Sequence, residues 1–204
     1  MICLGFSSGL PILLVFSTLS VWLVKAGIDR STVTLFSWAG FAYAFKYLWS
    51  PLVDNYKLPI LRKIGHRRSW LLLSQISIIF ALILTAFTDP QNNLFFTALF
   101  ITLLAFFSAT QDILIDAFRI ESAPQTLQGP LSSMYIAGYR IAMLVAGAGS
   151  LWLAAFFGTE IYNQNVWKKV YLIMSFFMII GIFATMVSEE PKIKKNFQSD
   201  NHIK

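Results

Sequence analysis

The sequence predicts an all-α membrane protein of six transmembrane helices, and three observations carry that expectation. The 204-residue chain is 56% hydrophobic and only 13% charged, with a mean hydropathy of +0.64, against about 25% charged residues in soluble globular domains. Six apolar runs, at residues 2–23, 31–52, 69–87, 94–116, 131–157 and 167–187, reach the roughly 20 residues needed to cross a hydrocarbon core. Lys and Arg collect in alternate connections, as the positive-inside bias requires of a multi-pass chain. The transmembrane unit therefore fills residues 1–187, and 188–204 form a polar tail.

In the first run, Gly5 and Gly9 stand in a GxxxG spacing that lets another helix approach closely. The run lacks a basic leading region and is longer than the apolar core of a cleavable signal, so it is expected to remain as a span. Its abrupt start at Met1 fits either a missing cytoplasmic segment or a translation start elsewhere. The link Gly27-Ile28-Asp29 leads to the second run, and Asp89-Pro90 marks the turn between the third and fourth.

The third run (SWLLLSQISIIFALILTAF) and the sixth (WKKVYLIMSFFMIIGIFATMV) hold no ionisable group in their apolar interiors and are expected to face lipid as scaffold. The other four carry the glycines, prolines and ionisable groups that lipid-facing helices avoid, so they are expected to form the interior. This recurrence predicts a three-plus-three repeat. In the fifth run Gly138, Ala142, Ala146 and Ser150 recur every four residues. Such a stripe packs against another helix, expected within the same bundle, with a partner subunit as the alternative.

With the N-terminus cytoplasmic, ten basic residues fall inside: Lys57, Arg62, Lys63, Arg67, Arg68, Arg119, Lys192, Lys194, Lys195 and Lys204. Four fall outside: Lys25, Arg30, Lys168 and Lys169. Both termini are therefore expected in the cytoplasm. The net charge of +6 reads as a topology signal whose simplest partner is the anionic inner leaflet of the lipid bilayer. Because the cations sit in short loops, they give no support to nucleic-acid binding.

Four ionisable side chains fall within the runs: Lys46, Asp112, Asp116 and Arg140. Arg140 lies about 14 Å inside the start of the fifth run, near the bilayer midplane. An unpaired arginine costs about 2.5–3.5 kcal/mol there, and it cannot lose its proton. It must face a carboxylate, a carbonyl or water. Standing about 200° around the helix from Gly138, it points away from the small-residue stripe. It is expected to bind an anionic solute group or to form a structural ion pair.

Asp112 and Asp116 are four residues apart, on one face near the inner end of the fourth run, with Ser108 and Gln111 close by. A carboxylate in low-dielectric surroundings exchanges protons near neutrality, which makes Asp112 the candidate proton site. Asp116, nearer water, is expected to cap the helix or pair with Arg119. Lys46 is expected to snorkel to the inner surface.

Nothing points to an enzyme or a cofactor. His66 and His202 are the only histidines, both in predicted aqueous segments, and there is no HExxH and no glycine-rich phosphate loop. The single cysteine, Cys3, excludes a disulfide within the chain and offers no metal cluster.

The stretch KYLWSPLVD (46–54), followed by GHRRSW (65–70), resembles the loop between helices two and three of major facilitator superfamily transporters. There a small residue, an aspartate, then glycine and two basic residues make a tight cytoplasmic turn. Asp54, Gly65, Arg67 and Arg68 match it; Ser50 stands in place of the usual glycine, and extra residues separate Asp54 from Gly65. Together with SATQDILIDAFR (108–119) and GYRIAMLVAGAGSLWLA (138–154), these departures resemble the AmpG muropeptide permease family, related to the acetyl-CoA transporters.

That resemblance covers essentially the whole chain. It implies proton-driven uptake of anhydromuropeptides across a bacterial inner membrane. Gln111 and Arg140 are chemically suited to such a solute's sugar hydroxyls and peptide carboxylates, and Asp54 would fasten the cytoplasmic side against the other half. Twelve helices in two six-helix halves are implied, of which this chain supplies the N-terminal one. A homodimer or a separately encoded second half would complete the cavity. The alternative is a membrane protein without transport activity, either a remnant or a structural or regulatory subunit.

Overall fold

The computed structural model describes residues 1–56, 65–158 and 162–191. The expected inner-loop cations Lys57, Arg62 and Lys63, and the tail beyond Pro191 with Lys192, Lys194, Lys195, His202 and Lys204, lie outside the described residues. Helix α1 (Ile2–Lys25) is followed by three short helices, α2 (Arg30–Leu35), α3 (Gly40–Ala44) and α4 (Ser50–Asn55). Four long helices complete the described chain: α5 (His66–Phe87), α6 (Leu94–Ser122), α7 (Gln125–Phe157) and α8 (Gln164–Val187). By length and composition α1, α5, α6, α7 and α8 are able to cross a membrane.

The second expected span takes a different form. Its helical pieces are joined by 3₁₀ turns at Phe36–Ala39 and Lys46–Leu48, and no single piece reaches spanning length. The local chemistry accounts for the breaks. Gly40 directly follows the first 3₁₀ turn and favours no one conformation, and Pro51, in the first turn of α4, lacks the N–H that would continue the ladder from the second. Conversely, α6 continues past the expected end at residue 116, so Arg119 and Glu121 share one rigid rod with Asp112.

The α1–α7 contact organises the bundle. Gly5 and Gly9 admit the backbone carbonyls of Tyr135 and Tyr139, and Gly138 admits the carbonyl of Ile2; a β-carbon at any of the three would overlap its neighbour. Gly138, Ala142, Ala146 and Ser150 are all buried, whereas Arg140 and Leu144 are exposed. The small-residue stripe thus packs inside the chain, against α1.

Both helices widen to π turns where they meet, at Leu14–Thr18 and Val145–Gly149. A π turn disturbs the regular carbonyl pairing, and hydroxyls compensate. Thr18 Oγ1 donates to the Ala146 carbonyl at 2.8 Å, and Tyr171 Oη donates to the Leu14 carbonyl at 2.9 Å.

Helices α5 and α8 are joined by a buried amide–hydroxyl pair. Gln75 Nε2 donates to Thr185 Oγ1 at 3.0 Å, and Gln75 is fully buried. At the end of the bundle where α8 begins, Trp22 stacks on Trp167 at 5.8 Å. There Tyr162 Oη accepts from Trp22 Nε1 at 3.3 Å and donates to Asp89 Oδ1 at 2.8 Å. Burial pushes the Tyr162 phenol above its ordinary range; the Trp22 indole opposes this and the Asp89 carboxylate reinforces it.

Burial within this chain runs in a different order from the expected division into scaffold and interior. Over an apolar 18-residue window of each long helix, the buried share falls from 61% in α1 and 56% in α6 through 50% in α5 and 39% in α8 to 17% in α7. The fifth run is therefore the most exposed of the five long helices. Its small-residue face is covered by α1, and little among the described residues covers the opposite face.

Candidate functional site

Two polar clusters lie in the bundle. The first is centred on Asp112 of α6, which is held from α1 and faced from α7. Ser8 Oγ donates to Asp112 Oδ1 at 2.5 Å, and the same Ser8 oxygen lies 2.8 Å from Tyr135 Oη. The backbone explains the meeting. Gly5, one turn before Ser8, admits the Tyr135 backbone, which brings the phenol to the serine. Tyr43 from α3, Lys46 from the following 3₁₀ turn, Tyr139 from α7 and Asp116 from α6 all lie within electrostatic reach of the carboxylate.

Hydrogen-bonding capacity is left over around this carboxylate. Gln111 Oε1 is buried without a partner among the described residues, and the buried Tyr43 and Ser108 hydroxyls face each other beside it. Buried polar atoms are paired in the large majority of cases, so the unpartnered Gln111 oxygen, with two hydroxyls close by, marks a region able to take a further polar group. Gln111 itself is fully buried and gives its Nε2 to Ser7 Oγ at 3.3 Å, so it sits in the α1–α6 interface.

Arg140 stands on the uncovered face of α7. No salt bridge or hydrogen bond holds its guanidinium among the described residues, and its charge acts on Tyr139. The expected pairing of Asp116 with Arg119 is present at 3.3 Å, and Arg119 Nη1 also donates to Ser132 Oγ at 2.5 Å.

The second cluster ties helix ends together. Arg67 Nη1 meets Asp54 Oδ1 at 2.5 Å, and its Nη2 meets Glu121 Oε1 at 2.6 Å. Asp54, which the resemblance assigned to contacts with another half, is thus paired within this chain. Glu190 accepts the backbone N–H of Arg67 at 2.8 Å and of Arg68 at 3.1 Å, satisfying two of the free donors at the start of α5. Arg68 in turn donates to the Thr185 and Met186 carbonyls at the end of α8. Gly65 has φ +112°, a conformation that favours glycine, and lies against the Glu190 carboxylate.

Sequence reasoning passed over Ser8, Tyr43, Tyr135, Glu121 and Glu190. Ser8 lies one turn after Gly5, and a polar small residue on a GxxxG face was the available signal. Glu121 and Glu190 were hidden because each lies just outside an apolar run, where a carboxylate reads as surface.

Comparison with known proteins agrees with this arrangement of apolar helices. The family model described as Major Facilitator Superfamily matches residues 1–202. The chain is 42% identical over 195 residues to a Rickettsia felis protein named "Putative transporter AmpG 4", covering 94% of this chain and 45% of the relative. To the Escherichia coli K12 "Anhydromuropeptide permease" it is 38% identical over 191 residues, covering 94% of this chain and 37% of the relative. The Rickettsia prowazekii "Putative transporter AmpG 3" is 37% identical over 204 residues, with 98% and 46% covered. The chain spans less than half the length of each of these relatives. A family model matched over nearly all of its length, on a helical apolar framework, establishes that the chain belongs to the major facilitator superfamily.

Proposed function

We propose that this chain is the N-terminal, six-span half of a proton-coupled permease that imports anhydromuropeptides across a bacterial inner membrane. In this reading the interrupted path from Arg30 to Asn55 is the second span, and the two sets of three spans are related as a repeat. Asp112 is the proton-binding carboxylate, and Arg140 binds an anionic group of the solute. The observation that carries the proposal is the Ser8–Asp112–Tyr135 contact in the apolar bundle, with the unpartnered Gln111 Oε1 beside it. The name of the Escherichia coli relative supports the solute class.

Orientation follows from charge. Arg67, Arg68 and Arg119 gather at the end where α5 starts and α6 finishes, while Lys25, Lys168 and Lys169 lie near the other end. The positive-inside bias puts the arginine end, and with it both termini, in the cytoplasm. The uncovered face of α7, arginine included, is where a second six-helix half or a second copy of the chain completes the cavity.

The test is uptake of radiolabelled anhydromuropeptide by vesicles at two external pH values, with and without a co-expressed C-terminal half. Uptake that needs the second half and rises with external acidity is the expected result. Uptake that ignores pH would remove proton coupling, and no uptake in either arrangement would overturn the permease reading.

A further inference from the structure

We propose that Ser8 relays the protonation state of Asp112 to Tyr135, so that loading a proton on Asp112 releases the Tyr135 hydroxyl hydrogen for an acceptor on the solute. The inference rests on the reading of Asp112 as the proton site and names how that site would couple to its cargo.

The argument is a count of hydrogens. Ser8 is only 2% exposed, so water has little access to its hydroxyl. That hydroxyl has one hydrogen and two oxygen neighbours, Asp112 Oδ1 at 2.5 Å and Tyr135 Oη at 2.8 Å. An ionised carboxylate only accepts. Ser8 must then donate to Asp112, and its lone pair accepts the Tyr135 hydrogen. When Oδ1 takes up a proton, the carboxyl becomes the donor to Ser8. Ser8 turns its hydrogen to Tyr135, and the Tyr135 hydrogen must leave this pair. One proton is gained, at Asp112, and every other hydrogen stays on its own oxygen. The change at Tyr135 is from donor toward Ser8 to acceptor from it, with its own hydrogen available elsewhere.

The surroundings suit a relay. Tyr135 is partly buried and its ring lies 6.0 Å from that of Tyr139, on the helix that also presents Arg140. The charged and titratable groups facing Asp112 are Lys46 and Tyr43 from the second run, Asp116 from its own helix, and Tyr135 and Tyr139 from α7. Among the hydrogen-bonding contacts of these groups, Ser8 is the one that touches both Asp112 and Tyr135. The ligand group favoured by the released hydrogen is an oxygen acceptor, such as a carbonyl, hydroxyl or carboxylate. Linkage is reciprocal, so a solute that accepts from Tyr135 would in turn favour protonated Asp112.

The test is infrared difference spectroscopy on the full chain in lipid nanodiscs, with ring-labelled tyrosine, titrated in pH. Asp112→Asn identifies the carboxyl band and Tyr135→Phe identifies the tyrosine C–O band. The expected result is that the Tyr135 band shifts between its donor and acceptor positions at the pH where the Asp112 band titrates. In Ser8→Ala the carboxyl band should still titrate while the Tyr135 band stays fixed, and Ser8→Thr should restore the link. Circular dichroism establishes that the variants are folded. A Tyr135 band that follows pH in Ser8→Ala, or that stays fixed in the unmodified chain while Asp112 titrates, would overturn the relay alone. The latter outcome would place the proton on Oδ2. Absence of any Asp112 titration would remove the proton site itself, and the relay with it.

Discussion

Gly138 of α7 lies against the backbone carbonyl of Ile2 in α1, close enough that a β-carbon at position 138 would overlap that oxygen. Backbone on both sides leaves nothing able to swing aside. Gly147, further along the same helix, meets instead a single Leu13 methyl at 2.9 Å, which a rotamer change relieves. Gly138→Ala should therefore destabilise the bundle by about 1–3 kcal/mol through overpacking, and Gly147→Ala by clearly less. Reversible unfolding in mixed micelles gives the order, and equal losses at the two sites would contradict the close α1–α7 approach.

Arg67 bridges Asp54 and Glu121 with a side chain that is only 12% exposed. Arg67→Ala leaves two carboxylates facing one another without their cation. A loss of about 1.5–3 kcal/mol is expected, the range for hydrogen bonds to charged groups. In a double-mutant cycle, Arg67→Ala and Glu121→Gln should show a coupling of about 0.5–3 kcal/mol. Additive losses would mean that the contact contributes little.

Arg140 carries no structural partner among the described residues, so its removal should leave folding nearly unchanged, within about 0.5 kcal/mol as at other exposed positions. If the proposed permease reading holds, Arg140→Leu, co-expressed with a C-terminal half, is nonetheless expected to abolish uptake, and Arg140→Lys to reduce it, because an ammonium lacks the two-pronged fit to a carboxylate. An Arg140→Lys protein that inserts normally and transports as well as its parent would remove the anion-binding role.

Gln75 and Thr185 hold α5 to α8 through an amide–hydroxyl pair. Gln75→Leu keeps the volume and deletes the pair, while Thr185 retains the Gly181 carbonyl at 3.0 Å. The expected cost is about 0.5–2 kcal/mol, the range for hydrogen bonds between membrane helices. A change of 3 kcal/mol or more in micelle unfolding would mean that the pair supports more than one contact.

Tyr162 has its phenol held above the usual value of about 10. A group whose folded-state pKa is raised contributes stability below its unfolded pKa and loses it as pH climbs toward the folded value. Thermal unfolding of the unmodified chain should therefore fall above about pH 10, and more steeply than that of Tyr162→Phe. Parallel curves would contradict the burial of this hydroxyl.

The apolar runs made the membrane class and five of the long helices legible, because length and hydropathy are properties of consecutive residues. The 200° offset between Gly138 and Arg140 was equally legible, since helical geometry alone fixes which residues share a face. The interruptions of the second run were not legible, because composition carries no record of where a ladder tightens into the 3₁₀ turns at Phe36–Ala39 and Lys46–Leu48. Asp112 was visible as an ionisable group inside an apolar run. Its surroundings were not, because Ser8, which joins it to Tyr135, lies 104 residues from Asp112 and 127 from Tyr135 in sequence.

By itself the sequence determined that the chain is a multi-pass helical membrane protein, which residues in its spans are costly to leave unpaired, and which face of the fifth run packs. Only the tertiary structure decided what covers each face. It set the stripe of α7 on α1, buried Gln111 in an interface, paired Asp54 with Arg67 and placed Ser8 between Asp112 and Tyr135. The physical reason is that desolvation is a local cost, readable one residue at a time, whereas the group that relieves it comes from a distant helix whose position follows from packing.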